Sequence, residues 1–426
     1  MKSKLKKLEG TSKQLDIEMP KEIVERKINE VLEEIRKNTE IPGFRKGKAP
    51  LDMVVKNSQM EAMEEAQRRL IPQGYQQALE EHAVAPVSYP EVSDVEMSVA
   101  GVLKFKAKVD THPEVGLKKY KGLKVVATKV GIDDNEISET FERFRNINAE
   151  FKDVDRPIQK GDFAICDVET VMDGKVISKK RENMWVEADK EASMLGMGED
   201  LCGAKKGDSK EVEVTLPEGY PDKKYAGKKA TFKIDIKETK EKILPEIDDE
   251  LAKKIGKDSI AEAREEIKSQ LLEKKEANVK VEMQNQILDQ LLKAHTFSLP
   301  ESMVKRQLEV LIQKAENDLL HKGVEKEAIE SHKEKLSEQL GKEAENKVRA
   351  YFILDEIGNR EDVKVSDEDV DQWLSALAAS YSQPVESVKK YYEEHDLING
   401  LREQLREEKT LEYLLSEASV NEKSKK

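Results

Sequence analysis

The chain has 426 residues, of which 38% are charged and 5% aromatic, and a formal net charge of −13. That length exceeds one ordinary core, so two to four domains are expected, with long helices that keep one side wet. The acidic balance excludes bulk binding of nucleic acid and leaves any contact with a nucleic-acid particle to a local basic patch.

The start, Met1-Lys2-Ser3-Lys4-Leu5-Lys6-Lys7, is basic with no apolar run behind it, which does not fit a secretory signal. No segment approaches a transmembrane span. Leu15, Ile17 and Met19 alternate as on a half-buried strand. After Pro20 the period changes, and Val24, Ile28, Val31, Leu32 and Ile35 share a helical face. A second helix is predicted from Leu51 towards Val84, bent or broken at Pro72 and Gly74. Leu103, Phe105, Ala107 and Val109 form another strand pattern.

Between the two helices lies Pro42-Gly43-Phe44-Arg45-Lys46-Gly47-Lys48-Ala49-Pro50. It displays cations and an aromatic with no acid among them, as a docking tip for acidic groups or phosphates would, or as a solvated basic turn would. A helical hairpin over a small sheet places this segment at the hairpin's tip.

His112-Pro113-Glu114 closes the first unit, and a connector follows. In it Asp133 and Glu136 have the spacing of a capping box, ahead of a buried stripe of Ile137, Phe141, Phe144 and Ile147. Residues 151–240 change character: turn pairs such as Gly161-Asp162, Asp173-Gly174 and Gly207-Asp208 separate strand-like runs at 163–171, 212–216 and 231–236, a compact antiparallel sheet. Cys166 reads as small core filler in the first run, and it and Cys202 as reduced thiols.

The remainder is almost wholly helical. A long helix over 260–294 turns Ile267, Leu271, Ile287, Leu288, Leu291 and Leu292 inward. Others are predicted from Pro300, over 325–358, from a cap at Ser366 and Asp369 with Trp373, Leu374 and Leu377, and from Val385 through Leu415, with a frayed tail from Asn421. The heptad repeat is not sustained, so these are arms rather than a coiled coil. Met283, Met303, Leu308, Leu311 and Ile312 either line an adaptable surface for unfolded segments or pack between helices.

Catalytic and cofactor motifs are otherwise absent. The six histidines show no metal spacing, Leu195-Gly196-Met197-Gly198 lacks the third glycine of a dinucleotide loop, and no phosphate loop exists, so neither a cofactor nor a metal is expected.

Three local matches carry a resemblance. Gly43-Phe44-Arg45-Lys46 resembles the docking signature of the trigger factors. Leu216-Pro217-Glu218-Gly219-Tyr220-Pro221, followed by Tyr225 to Phe232, resembles the closing half of their FK506-binding-type isomerase domain, and Leu244 to Ala252 the start of their C-terminal domain. The order and the total length fit as well.

The resemblance implies an elongated, multidomain α+β protein: a ribosome-binding domain over 1–112, a connector over 113–150, an inserted antiparallel isomerase-like domain over 151–240, and an all-α C-terminal body with arms over 241–426. It implies an ATP-independent cytoplasmic chaperone that docks near the ribosomal tunnel exit through Gly43, Phe44, Arg45 and Lys46. Its partners would be nascent or unfolded polypeptides and a second copy off the ribosome, without a membrane. A dedicated prolyl isomerase with helical dimerisation arms and a non-catalytic adaptor are the alternatives.

FK506-binding folds use no nucleophile and no metal; by resemblance they desolvate the X-Pro bond in an aromatic pocket. Here Tyr220 and Phe232 are retained, and each is equally readable as core packing. Val168, Ile177 and either Met197 or Gly198 stand where aromatics are usual, Leu216 where a Phe is, and Trp185 falls nearby. Weak isomerase activity is the expectation.

Overall fold

The computed structural model describes residues 1–38, 47–97, 101–172, 175–189, 197–216, 225, 227–322, 324, 326–330 and 332–423. In chain order the elements are β1 (Lys2–Lys7), β2 (Ser12–Met19), α1 (Lys21–Asn38), α2 (Leu51–His82), β3 (Glu91–Met97), β4 (Leu103–Asp110), β5 (Lys124–Thr128) and α3 (Asp134–Ile147). Then come β6 (Glu150–Asp153), β7 (Phe163–Met172), β8 (Lys175–Glu187), β9 (Ser209–Thr215) and β10 (Lys229–Ile243). The helices α4 (Asp249–Lys254), α5 (Ile260–Ala294), α6 (Glu301–His321), α7 (Lys326–Glu330), α8 (Lys333–Arg360), α9 (Asp367–Ser380), α10 (Val385–Glu394) and α11 (Ile398–Ser416) follow, and β11 (Ser419–Lys423) closes the order. The chain divides into one unit of 1–125, 283–318 and 329–421 and a second of 126–282, 319–328 and 422–426.

In the first unit, an antiparallel sheet of order β1-β2-β4-β3 carries the α1–α2 hairpin on one face. The strand alternation read from sequence fixes the register: Leu15 pairs with Ala107, Ile17 with Phe105 and Met19 with Leu103, all buried. Leu70, Ala78 and Leu79 of α2 complete this core.

The expectation that Pro72 and Gly74 interrupt α2 is not met. The helix runs through both, and its one non-helical residue is Ser58 (φ −132°, ψ 22°). Gly74 serves close approach instead: a Cβ there would lie 3.1 Å from Met19 Sδ and 3.3 Å from Phe105 Cζ. β1 has no apolar run and escapes pattern reading, because an edge strand can be written in lysines.

The helical body is built on a core shared by distant segments. Tyr120 and Val125 pack with Ile287 and Leu291 of α5, Ile353 and Ile357 of α8, and Leu414 of α11. Two polar links fasten it. Glu361 accepts from Tyr120 Oη (2.7 Å), Lys121 Nζ (2.7 Å) and Tyr413 Oη. The Lys121 ammonium and the two phenols hold its carboxyl down at about 2. Buried His295 accepts from the Lys118 N–H at Nε2 (2.8 Å), so its Nδ1 carries the proton given to Leu291 O.

Helices α8 and α11 cross at Gly358, where a Cβ would meet Thr410 Oγ1 at 3.0 Å. Helices α9, α10 and α11 share a smaller core of Val370, Leu374, Val388, Leu401 and Leu405, with Trp373 and Leu377 at its edge. The Ser366–Asp369 capping box forms as read.

Two predicted helices are each split. His332 starts α8 separately from α7, and Asp396, in the left-handed region at φ +52°, stops α10 before α11. The tail expected to fray contributes Asn421–Lys423 to β11.

In the second unit β6, β10, β7 and β8 run side by side, with β9 on the other half of β10's edge. β8 was not legible because Lys180, Arg181, Glu182 and Asn183 break its alternation, and register shifts and a left-handed Asn183 (φ +55°) accommodate them. Ile137 and Phe141 of α3 are buried against Leu251, Ala252, Ala263 and Ile267, under the Asp133–Glu136 box. Ile147, expected in that stripe, is 79% exposed, because the α4–α5 partners cover only the first turns of α3.

Asp110 ties the N-terminal sheet to the body. Its carboxylate accepts from Ser12 Oγ (2.6 Å), from Ser302 N (3.0 Å) in the first turn of α6, and from Ser302 Oγ. Burial raises its pKa, but these donors, aided by Lys108, outweigh burial and hold it below 3.8. This is an N-cap supplied from another element, with its charge at the positive end of the helix. Asp110→Ala should cost about 2–3 kcal/mol at pH 7, by stranding Ser12 and Ser302. Since the folded pKa is lowered, that contribution is present above pH 3.8 and is lost as pH falls through the folded value. Urea denaturation of both forms at pH 7 and pH 3 checks this; an unchanged midpoint at pH 7 would contradict it.

Candidate functional site

Three places carry the sequence's functional expectations. The docking segment Gly43, Phe44, Arg45 and Lys46 lies outside the described residues; the chain up to Asn38 and from Gly47 is described. Gly47 N donates to Arg36 O at 3.1 Å, closing the end of α1 onto the start of the return strand of chain. Ala49 and Val54 pack with Val31, Leu32 and Ile35, and further along the hairpin Ala62 and Ala66 complete that cluster. The loop's ends therefore meet at the end of a packed helical hairpin.

The isomerase-type positions come together in the second unit's sheet core. Val168 pairs with Ile234 across β7–β10, and Phe232 pairs with Thr170 and Val212. Val168, Met197, Leu216 and Phe232 are 4%, 2%, 1% and 6% exposed, so they fill the core; Ile177 is only partly buried beside them. Tyr220 lies outside the described residues, while Gly198 is described and precedes a short turn of helix at Glu199–Leu201. Cys166 is fully buried there, and burial, with the Asp167 charge, pushes its thiol up to about 11, leaving no thiolate nucleophile.

Trp185 does not join this group. It pairs with Ile165, and Met184 and Val186 on either side of it are the ones packed with the core. The Trp185 ring instead meets Phe151 and Phe163, with centroids at 5.1 and 6.0 Å. Strand alternation sends neighbours to opposite faces, so a one-residue difference in alignment decides which face Trp185 takes.

The third place is a cleft of about 780 Å³ in the first unit, between α6, α8, α11 and the segment Val87–Tyr89. Met303 and Val310 of α6, Val348, Tyr351 and Leu354 of α8, and Leu411 of α11 give it apolar walls. Val310 is 56% exposed and Tyr89 is 92% exposed, so water reaches this apolar surface. The residues proposed from sequence divide. Met303 lines the cleft, Leu311 and Ile312 are buried, Met283 packs on the body core, and Leu308 is half-buried.

Tyr351, Leu411 and Glu407 were missed, since on α8 and α11 an apolar stripe reads only as core. Burial, then the charges of Glu403, Asp355 and Glu407, raise the Tyr351 phenol to about 12. The cleft contains no arrangement for bond chemistry; it offers apolar contact bounded by charge. Among the described residues no group of His, Cys, Asp or Glu fit to hold a metal ion occurs, and no helix is long and apolar enough to cross a membrane.

The family profile described as bacterial trigger factor protein matches residues 1–144, and its C-terminal counterpart matches residues 259–416. The profile of FKBP-type peptidyl-prolyl cis-trans isomerases matches residues 154–237. The trigger factor of Halalkalibacterium halodurans is 32% identical over 431 residues, covering 99% of this chain and 100% of that one. That of Geobacillus kaustophilus is 32% identical over 429 residues, with 99% and 100% covered. A solved structure from work on promiscuous substrate recognition in folding and assembly by the trigger factor chaperone aligns over 98% of this chain and 99% of that one, at 23% identity and a TM-score of 0.48.

Proposed function

The chain belongs to the trigger factor family, ribosome-associated chaperones with an FKBP-type isomerase domain, and on that footing we propose how its parts divide the work. Residues 1–112 dock at the ribosomal tunnel exit in the cytoplasm, 113–150 connect, 151–240 act as a weak prolyl isomerase, and 241–426 hold unfolded or nascent polypeptide. Off the ribosome, two copies pair.

The observation that carries the holding role is the water-facing apolar cleft between α6, α8 and α11. Apolar surface of that size, rimmed by charge, binds unfolded segments while keeping the protein itself dispersed. The contact needs no nucleotide, because hydrophobic burial alone favours it.

Docking rests on Phe44, Arg45 and Lys46, with Gly43 giving the backbone freedom to present them. The two cations pair with carboxylates or phosphates at the tunnel exit and Phe44 fills an apolar contact. Replacing Phe44, Arg45 and Lys46 together by alanine should release the protein from ribosomes with its fold intact, since the hairpin core of Val31, Leu32, Ile35 and Val54 is untouched. Wild-type binding should weaken as salt rises. Co-sedimentation with ribosomes reads both, and unchanged co-sedimentation of the triple variant would sink the assignment.

The isomerase site comprises Tyr220 and Phe232, with Val168, Ile177 and Met197 or Gly198 where flat rings would hold the proline. Each ring lost removes about 0.5–1.5 kcal/mol beyond area burial, and about 1.36 kcal/mol is tenfold in rate. Catalysis on a chromogenic proline peptide should therefore be poor. Ile177→Phe should raise it, because that side chain is only partly buried. Val168→Phe and Met197→Phe should instead cost about 1–3 kcal/mol of stability by overpacking. Fast wild-type catalysis lost in Tyr220→Ala or Phe232→Ala would show that the two retained rings suffice.

A further inference from the structure

One group in the cleft has no part in holding by apolar contact. Glu407 on α11 lines it among Tyr351, Leu354 and Leu411, half-buried. Its carboxylate has no hydrogen bond or ion pair among the described residues.

The charged and titratable groups around it come from three helices. On its own helix Glu403 and Glu408 are like charges, and Asp355 on α8 is a third. Asp355 is already engaged by Arg406 (3.1 Å) and His112 Nε2 (3.2 Å), so that Arg406 is spent on a different acid. Tyr351 on α8 adds a neutral phenol. The cations of the cleft are Lys347 on α8 and Arg306 on α6, both exposed at its border; Lys347 pairs with Glu343 at 3.5 Å. Tyr89, from the segment before β3, is the titratable group that this segment contributes.

An ionised carboxylate in such a place must keep its water, and that water occupies the space an apolar side chain would fill. Once protonated, the same side chain is neutral and gives up the water at far smaller cost. We propose that Glu407 is a proton-controlled gate on the cleft: neutral, it lets uncharged apolar segments of unfolded polypeptide bind; ionised, it disfavours them. The inference rests on the reading of the cleft as the holding site.

The position of the gate on the pH scale follows from the same surroundings. Burial, then the charges of Glu403, Asp355 and Glu408, raise the Glu407 carboxyl from 4.5 to about 7. Both forms are therefore populated near neutrality, and the affinity for an uncharged segment rises as pH falls through that value.

The test uses the full-length chain and an acetylated, amidated peptide of Leu, Phe, Gly and Ser with a pH-insensitive dye, followed by fluorescence anisotropy from pH 5.5 to 8.5. Wild type should bind about 3- to 10-fold more tightly at the acid end. Glu407→Gln should bind tightly throughout, with no slope. Val310→Asn, at a half-exposed position of the same cleft, should weaken binding at every pH. A flat wild-type profile, or an equal slope in Glu407→Gln, with Val310→Asn still weakened, overturns the gate and leaves the cleft as the holding site. Unaltered binding by Val310→Asn overturns the cleft as the holding site and the gate with it.

Discussion

The body's core is shared between residues 115–125 and helices that begin more than 130 residues later, and the first unit depends on that closure. Tyr120 and Val125 are buried on Ile287, Leu291, Ile353, Ile357 and Leu414, so the chain leaves the N-terminal sheet and is at once enclosed by the helices. The polar links are placed at the same junction. Glu361 gathers two phenols and an ammonium, and the buried His295 ring has both nitrogens engaged, one by the Lys118 N–H and one by Leu291 O. Further out, Asp110 reaches from β4 to the first turn of α6. Each is a case in which a buried or half-buried polar group is tolerated because its partners are present. Of these links, the Asp110 bond ends on the first turn of α6 and the Glu361 cluster sits at the end of α8, the two helices that supply most of the cleft's walls.

That arrangement explains how an acidic, charge-rich chain exposes sticky surface safely. Most of the helical surface is solvated, exposed apolar side chains elsewhere are scattered, and the cleft gathers apolar surface in a concave region with Arg306 and Lys347 at its border. The sheet of the second unit shows the opposite economy. Where an isomerase pocket would present flat rings, Val168, Met197 and Leu216 are buried aliphatic packing. On the proposed reading, a proline ring held by such aliphatic side chains would be desolvated but poorly oriented.

Much of the fold was legible because local periodicity and burial coincide. The alternation of Leu15, Ile17 and Met19 gave β2, the Asp133–Glu136 and Ser366–Asp369 boxes gave the starts of α3 and α9, and the stripe from Ile267 to Leu292 gave α5. What escaped did so for physical reasons. β1 and β8 are written largely in charged residues, which pairing tolerates at an edge but alternation does not reveal. Pro72 and Gly74 were expected to bend or break α2; no break occurs at either, since the sheet packed beneath the helix outweighs one lost hydrogen bond. The partition of the apolar residues of α6 into cleft and core was not legible, because the same spacing serves both. Glu407 looked like any solvated acid of a helix; only the approach of Tyr351 and Leu354 of α8, more than 50 residues earlier in sequence, makes it unusual.

On the proposed reading, unfolded polypeptide is held in the cleft of the helical body. Hydrogen–deuterium exchange on the full-length chain, with and without an excess of a permanently unfolded client, tests it most directly. The account predicts slowed exchange on client addition in residues 302–310 of α6 and 347–354 of α8, with β7–β10 little changed. Protection confined to residues 151–240, with α6 and α8 unaffected, would contradict it.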